Sequence, residues 1–312
     1  MRCCYSLILL LSFCLANGQQ QTYKNKLNFR TDNDAYLLEK KDGYYTNGMF
    51  LKLNAATEKH NHKIINSYEL GQMIFTPQDV NFYRDGSGID RPFCGYLYAT
   101  YNRAIFLPKE QVVQWAVSLG TVGPNALGQN VQELIHRWFQ FKSFRSWDTQ
   151  ISNEIGINAT IKYATGLSPL KTDLIAVIPE FEATIGNLFT NAKMSSYVCF
   201  GLMENANNST LFNAGISKSN INKKHNAELF VYWHPQFVYQ AYNSTVQGGL
   251  FSKDMSDITA PIWSTIYTQS FGALFATKRF TTKLEIVYLT QEAKTQKSPQ
   301  RYASIGVGYR FN

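Results

Sequence analysis

The chain predicts an all-β fold: a transmembrane antiparallel β-barrel of about twelve strands with a short helix in an outer loop. Three observations carry that expectation. Apolar and polar residues alternate with period two, over segments near the ~9–11 residues that a strand needs to cross a bilayer. The chain starts with an export signal, and no later stretch approaches the ~18 apolar residues of a membrane helix. Aromatic content is 14 %, with 19 Tyr and 21 Phe, a bias that the aromatic girdles of outer-membrane barrels produce.

The elements follow in order. Residues 1–18 read as a signal peptide: Arg2 gives a basic start, Leu7 to Leu11 an apolar core, and Ala16-Asn17-Gly18 the small residues before cleavage. Cys14 follows Phe13, where a lipoprotein would carry a small residue, so an ordinary signal is expected. Residues 19–312 are then one barrel domain. Strands are expected near 24–38, 44–56, 63–75, 93–106, 110–122, 149–164, 171–188, 192–204, 226–240, 261–276, 279–293 and 300–311. The last shows the period best: Ala303, Ile305, Val307, Tyr309 and Phe311 point one way, Tyr302, Ser304, Gly306, Gly308 and Arg310 the other. The chain ends one residue beyond Phe311, where outer-membrane proteins commonly end on Phe itself.

An even count puts both termini in the periplasm. The outward connections are then 39–43, 76–92, 123–148, 189–191, 241–260 and 294–299. One segment fits poorly. Residues 205–225, rich in Asn and Ser, fall on the periplasmic side, where turns are usually short.

Net charge is +8, spread without a concentrated basic run. That disfavours nucleic acid and suits anionic lipid head groups or a basic lumen. Cys94 and Cys199 remain after signal removal. Their pairing stays open at this level, and buried small apolar residues is the simpler reading. A secreted carbohydrate-binding sandwich would share much of the pattern, and detergent-free solubility would reveal it.

Chemistry-bearing residues gather in the outward half. Ala126 to Trp147 reads as an amphipathic helix after the turn Val122-Gly123-Pro124-Asn125, with Gln132 and His136 four residues apart on one face. Before it come Thr31-Asp32-Asn33-Asp34, Gly43-Tyr44-Tyr45-Thr46-Asn47-Gly48, Leu70 to Pro77, and Asp90-Arg91-Pro92-Phe93. Each has a plain alternative: Thr46-Asn47-Gly48 as a turn, Arg91-Pro92 as a strand start, His136 as a surface residue. His60, His62, His225 and His234 show no zinc spacing. No G-x-S-x-G elbow is present to signal a serine nucleophile.

In this order, and over about residues 28–155, these blocks resemble the outer-membrane lipid A deacylase (LpxR-like) family. The resemblance implies a twelve-stranded barrel that removes a 3′-acyloxyacyl group from lipid A with Ca²⁺. By position it implies His136 as general base, with Asn33 and Asp34 as the pair near the catalytic centre. It also implies Thr46 as the strand-two hydroxyl, Gly43 as a backbone contributor and Gln132 as the helix amide. Asp34 and Thr46 would hold the metal, and Arg84 is the candidate basic residue of the second outer loop. Lys142 stands where the family has Glu, and Phe144 where it has Tyr. The expected partners are lipopolysaccharide and outer-membrane lipids, with the protein a monomer. An outer-membrane phospholipase A and a non-catalytic porin-like barrel are the rival readings.

Overall fold

The structure, a computed structural model, describes residues 22–37, 43–78, 88–139, 147–167, 170–219, 224–252 and 255–312. Twelve antiparallel strands close into a barrel. They are β1 (Asn25–Asn33), β2 (Tyr44–Lys59), β3 (His62–Thr76), β4 (Cys94–Leu107), β5 (Gln111–Val122), β6 (Glu154–Thr165), β7 (Ile175–Gly186), β8 (Phe189–Leu202), β9 (Glu228–Asn243), β10 (Thr265–Ala276), β11 (Phe280–Leu289) and β12 (Gln300–Phe311). Each strand pairs with its sequence neighbours, and β1 joins β12 from Asn25↔Phe311 to Asn33↔Ala303. Closure removes every sheet edge, which a bilayer demands because it offers no hydrogen bonds to an open one.

All twelve predicted strands are present, several shorter than expected. The first ends at Asn33 rather than 38, where a 3-10 turn over Ala35–Leu37 takes over. The sixth starts at Glu154 rather than 149, behind a 3-10 turn over Trp147–Thr149. The period-two pattern faces as predicted. Leu119, Ile157, Ile185, Phe200, Phe271, Leu284 and Val307 are exposed on the outer wall, where lipid replaces water as solvent. The lumen is correspondingly polar. Lys162 meets Glu180 at 2.9 Å, Lys193 meets Glu182 at 2.7 Å, Lys283 meets Glu285 at 3.1 Å and Lys52 meets Glu69 at 3.2 Å. Pairing, across strands in three cases and along β11 in the fourth, matters here because a carboxylate left alone in a confined interior is costly. Cys94 and Cys199 are both buried and unpaired, each in a separate apolar cluster.

The segment that fitted poorly as a turn is a plug. Between β8 and β9, residues 203–219 fold back into the periplasmic mouth around a 3-10 turn, Thr210–Phe212. Ala206, Phe212, Ala214 and Ile216 pack against Ile65, Phe106, Val112 and Ile178 from the surrounding strands. Polar anchors fix it. Glu228 accepts from Ser209 Oγ at 2.7 Å, Thr210 N at 2.8 Å and Glu204 N at 3.2 Å. Lys63 donates to the carbonyls of Asn207 and Ala214. Lys26 donates to Asn213 Oδ1 at 3.1 Å.

The outward mouth is roofed. Arg91, fully buried, donates to Thr245 Oγ1 at 3.0 Å and pairs with Glu292 at 3.4 Å. It thereby ties the β3–β4 loop to the β9–β10 and β11–β12 loops across the barrel. Burial lowers the pKa of its guanidinium, and Glu292 opposes that shift. Glu154 accepts from the amides of Leu250, Phe251 and Ser252, each at 2.9 Å, pinning the same β9–β10 loop to β6.

A barrel plugged below and roofed above is a poor channel. Wild-type protein in a planar bilayer is expected to show no porin-sized conductance steps. Glu228→Ala strips two buried backbone donors of their acceptor, at about 1–3 kcal/mol each. It is expected to lower the thermal midpoint in detergent. Stable porin-sized steps from the wild type would contradict the plug.

Candidate functional site

The outward end of β1 sets the first part of the site. Asn33 Oδ1 accepts from Ala35 N at 2.7 Å, an Asx-type turn that stops the strand. Asp34 follows, buried, its amide donating to Thr46 O at 3.4 Å. Its carboxylate accepts from Gly43 N at 3.1 Å. Gly43 has no room for a side chain: a Cβ would stand 2.7 Å from the Gln78 Cα. Asn33 Nδ2 also donates to Asn47 Oδ1 across the β1–β2 pair.

Thr46 owes its position to an irregularity. Tyr45 pairs with Phe75 and Asn47 with Ile74, so Thr46 is the extra residue of a β-bulge. Bulges re-aim a side chain that strict alternation would send elsewhere. The fully buried Thr46 hydroxyl lies 3.3 Å from both Ile74 O and Thr76 Oγ1.

The helix supplies the second part. Gly123 at φ 88° and Pro124 begin a 3-10 turn, Pro124–Ala126, and Leu127 takes a left-handed conformation. Helix α1 (Gly128–Phe139) follows. The sequence predicts helix to Trp147. Instead Trp147 starts its own 3-10 turn, fully buried against Phe93 with ring centroids 4.9 Å apart. Gln72 Nε2 holds Ala126 O at 2.7 Å. A Cβ on Gly128 would come 2.9 Å from the Gly95 Cα, so the helix start sits directly on β4.

Gln132 and His136 are both buried, while Leu134 and Trp138 are exposed on the opposite face. Gln132 Oε1 accepts from Trp147 Nε1 at 2.8 Å, and its Nε2 has no partner. An amide half-satisfied and buried is poised to donate to something else. The two parts meet at Ile74. Its carbonyl accepts from Thr46, and its side chain packs with Phe93, Trp147 and Val131 beneath the helix.

Beside Asp34 opens a polar cleft of about 220 Å³, lined by Asp34, Gly43, Tyr44, Gln78, Ser298 and Gln300 among others. Asp34, Asn33, Gly43, Thr46, Gln132 and His136 therefore share the outward rim of the β1–β4 quarter. Arg84, Lys142 and Phe144 lie outside the described residues, as does the signal peptide.

Sequence reasoning missed several participants. Tyr44 sits at φ 68° and donates to Asp90 Oδ2 at 2.6 Å and Gln78 Oε1 at 3.0 Å. It also accepts from Lys297 N at 2.8 Å. The only sequence signal was its place in the YYTNG block. Arg91 reads as a strand-start neighbour of Pro92, whereas it is the buried tie across the roof. Gln300 carried no signal at all.

Comparison with known proteins adds the lineage. LpxR from Salmonella typhimurium superimposes with a TM-score of 0.75 at 22 % identity, covering 92 % of this chain and 100 % of that one. The β domain of the Bordetella autotransporter BrkA covers 93 % of this chain and 99 % of its own at 9 % identity, with a TM-score of 0.47. The translocator domain of NalP from Neisseria meningitidis covers 98 % and 94 % at 10 % identity, with a TM-score of 0.40. No curated protein sequence matches. The family described as outer membrane protein LpxR matches residues 4–311. The chain belongs to the LpxR family of outer-membrane proteins, and it is an integral β-barrel of that membrane.

Proposed function

We propose that the protein is a Ca²⁺-dependent carboxylic ester hydrolase that removes the 3′-acyloxyacyl group of lipid A in the outer leaflet. The observation that carries this reading is that Asp34–Thr46 and the helix bearing Gln132 and His136 come together at Ile74, which accepts from Thr46 and packs with Val131 and Trp147, at the barrel end that faces lipopolysaccharide.

His136, as a neutral imidazole, takes the proton from a water whose oxygen attacks the ester carbonyl. It returns that proton to the sugar oxygen as the acyl–oxygen bond breaks. The unpartnered Gln132 amide donates to the substrate. Gly43 and Asn33 hold the Asp34 carboxylate and the Thr46 bulge in register.

The Asp34 carboxylate, the Thr46 hydroxyl and nearby backbone carbonyls make an oxygen donor set. Such a set suits a hard cation; among the described residues no three His, Cys, Asp or Glu converge, so hydroxyl, backbone and substrate oxygens would complete it. Asp34 and Thr46 would hold Ca²⁺, which supplies Lewis-acid polarisation of the ester carbonyl when bound. Arg84 would contact the substrate head group. The enzyme works as a monomer within outer-membrane lipids.

Mass spectrometry of lipid A from cells expressing the protein is expected to show loss of one acyloxyacyl mass. With purified protein, chelation of Ca²⁺ should stop release and re-addition restore it. Asp34→Asn should lower activity by about 10²-fold or more. Phospholipid run in parallel should be untouched, and release from phospholipid alone would favour the phospholipase reading. Unchanged lipid A with folded protein and Ca²⁺ present would refute the assignment.

A further inference from the structure

We propose that the lumen binds a small inorganic oxyanion, such as phosphate or sulfate, in the cavity between Lys26, Arg30, Lys52 and Lys283 just above the periplasmic plug. The site lies below Asp34, toward the other end of the barrel, and does not depend on the hydrolase reading.

Three observations lead there. First, strand register puts the four cations on one lumenal face. Lys26, Asn28 and Arg30 alternate along that face of β1, and Lys52 pairs directly with Asn28. Gly306 of β12 pairs with Arg30 on one side and Lys283 on the other. Directly opposed residues point to the same face of a sheet, so a guanidinium and an ammonium flank a residue that has no side chain. A Cβ at Gly306 would find nothing nearer than 3.6 Å. The cavity lined by these residues holds about 180 Å³, and the plug residues Thr210, Leu211 and Asn213 close it below.

Second, the carboxylates nearby are already taken. Asp32 accepts from Tyr45 OH at 2.9 Å and meets Arg30 at 3.3 Å. Glu69 accepts from Tyr98 OH at 2.8 Å and meets Lys52 at 3.2 Å. Glu285 accepts from Ser270 Oγ at 2.7 Å and meets Lys283 at 3.1 Å. Lys26 is left over. It is 3 % exposed and donates to the neutral Asn213 Oδ1 at 3.1 Å, and among the described residues it meets no carboxylate within ion-pair distance. Beyond it, Arg310 and Glu228 act on it with opposite sign. A buried ammonium without its own counter-charge is costly, and an anion in the cavity offsets that cost.

Third, the other three cations keep surface free for a ligand. Their side chains stay 44 % (Arg30), 28 % (Lys52) and 32 % (Lys283) exposed although they line the lumen. Phe50 supports the Arg30 guanidinium from one side, 3.8 Å from its ring centroid. An oxyanion presents several acceptor oxygens, so it can take a guanidinium fork and two ammonium groups at once, where a halide offers a single centre.

The test is thermal unfolding of the full protein in a nonionic detergent at constant ionic strength. Sodium gluconate, a bulky reference anion, is replaced stepwise by sodium phosphate. The midpoint is expected to rise by about 2–4 °C for each tenfold step beyond half-saturation. Lys26→Met removes the buried ammonium. Gly306→Val fills the cavity and leaves every charge in place. Both are expected to abolish the phosphate dependence, whichever way they move the midpoint itself, and either alone decides if the other fails to fold. Isothermal titration with phosphate should give one site per chain in the wild type and none in the folded variants. A phosphate effect that persists in those variants, or a wild type on which phosphate and gluconate act alike, would overturn the site. Chloride as effective as phosphate would overturn the oxyanion assignment in favour of a general positive field.

Discussion

His136→Ala is expected to cut acyl release from lipid A by about 10²–10⁴-fold, the usual contribution of a positioned general base. The imidazole is buried on the face of α1 that carries Gln132, one turn beyond that residue's unpartnered amide. Among the described residues of α1, His136 is the one His. The barrel should be untouched, because α1 lies on the rim and shares no strand pairing with the wall. Heat-modifiable migration on a gel, as for the wild type, would show a folded variant. Activity within a few-fold of wild type in such a folded protein would remove His136 from the mechanism.

Trp147→Ala is expected to have the largest structural effect. The indole is 1 % exposed, packs at a tilt against Phe93, fills the space beside Ile74 and Val131, and satisfies Gln132 Oε1. Truncating a buried Trp costs about 3–5 kcal/mol. Here that cost falls on the docking of α1 rather than on the sheet. Limited proteolysis should therefore cut within 126–147 in the variant and spare the wild type, while the barrel still migrates as folded. Acyl release should fall with it, since Gln132 and His136 lose their fixed position. Trp147→Phe separates the two roles. It keeps most of the packing and strands only Gln132 Oε1, at about 1–3 kcal/mol. Resistance of Trp147→Ala to protease would mean that the helix is held by something other than this contact.

How much of this was legible beforehand differs by element. The strands were visible because lipid on one side and a polar lumen on the other impose opposite chemistry on alternate residues. Lys283 and Glu285 against Leu284 and Ile286 is that rule written in sequence, and the structure pairs the first two at 3.1 Å inside and exposes the others outside. The plug was not visible. Residues 205–225 have neither period, and Phe212, Ala214 and Ile216 become core only because strands distant in sequence surround them. Helix α1 was visible from its amphipathic spacing, but not the separate 3-10 turn in which Trp147 buries itself on Phe93.

The site divides the same way. Asp34, Thr46, Gln132 and His136 stood out as residue types in ordered blocks, through a family resemblance as much as through spacing. The residues that place them did not. Tyr44 at positive φ, Arg91 bridging three loops and Gln300 with its orphan donor are ordinary letters until the barrel closes.

By itself, then, the amino-acid order determined the class of fold, the strand count, which end faces outward and which residue types gather there. These follow from local period and residue type, which neighbours in the chain carry between them. Tertiary structure alone decided that the barrel is plugged and roofed, that a bulge turns Thr46 onto the Ile74 carbonyl beneath the helix, and that a polar cleft lies against Asp34. Those features depend on contacts between residues up to a full barrel circumference apart, and no stretch of sequence holds both partners.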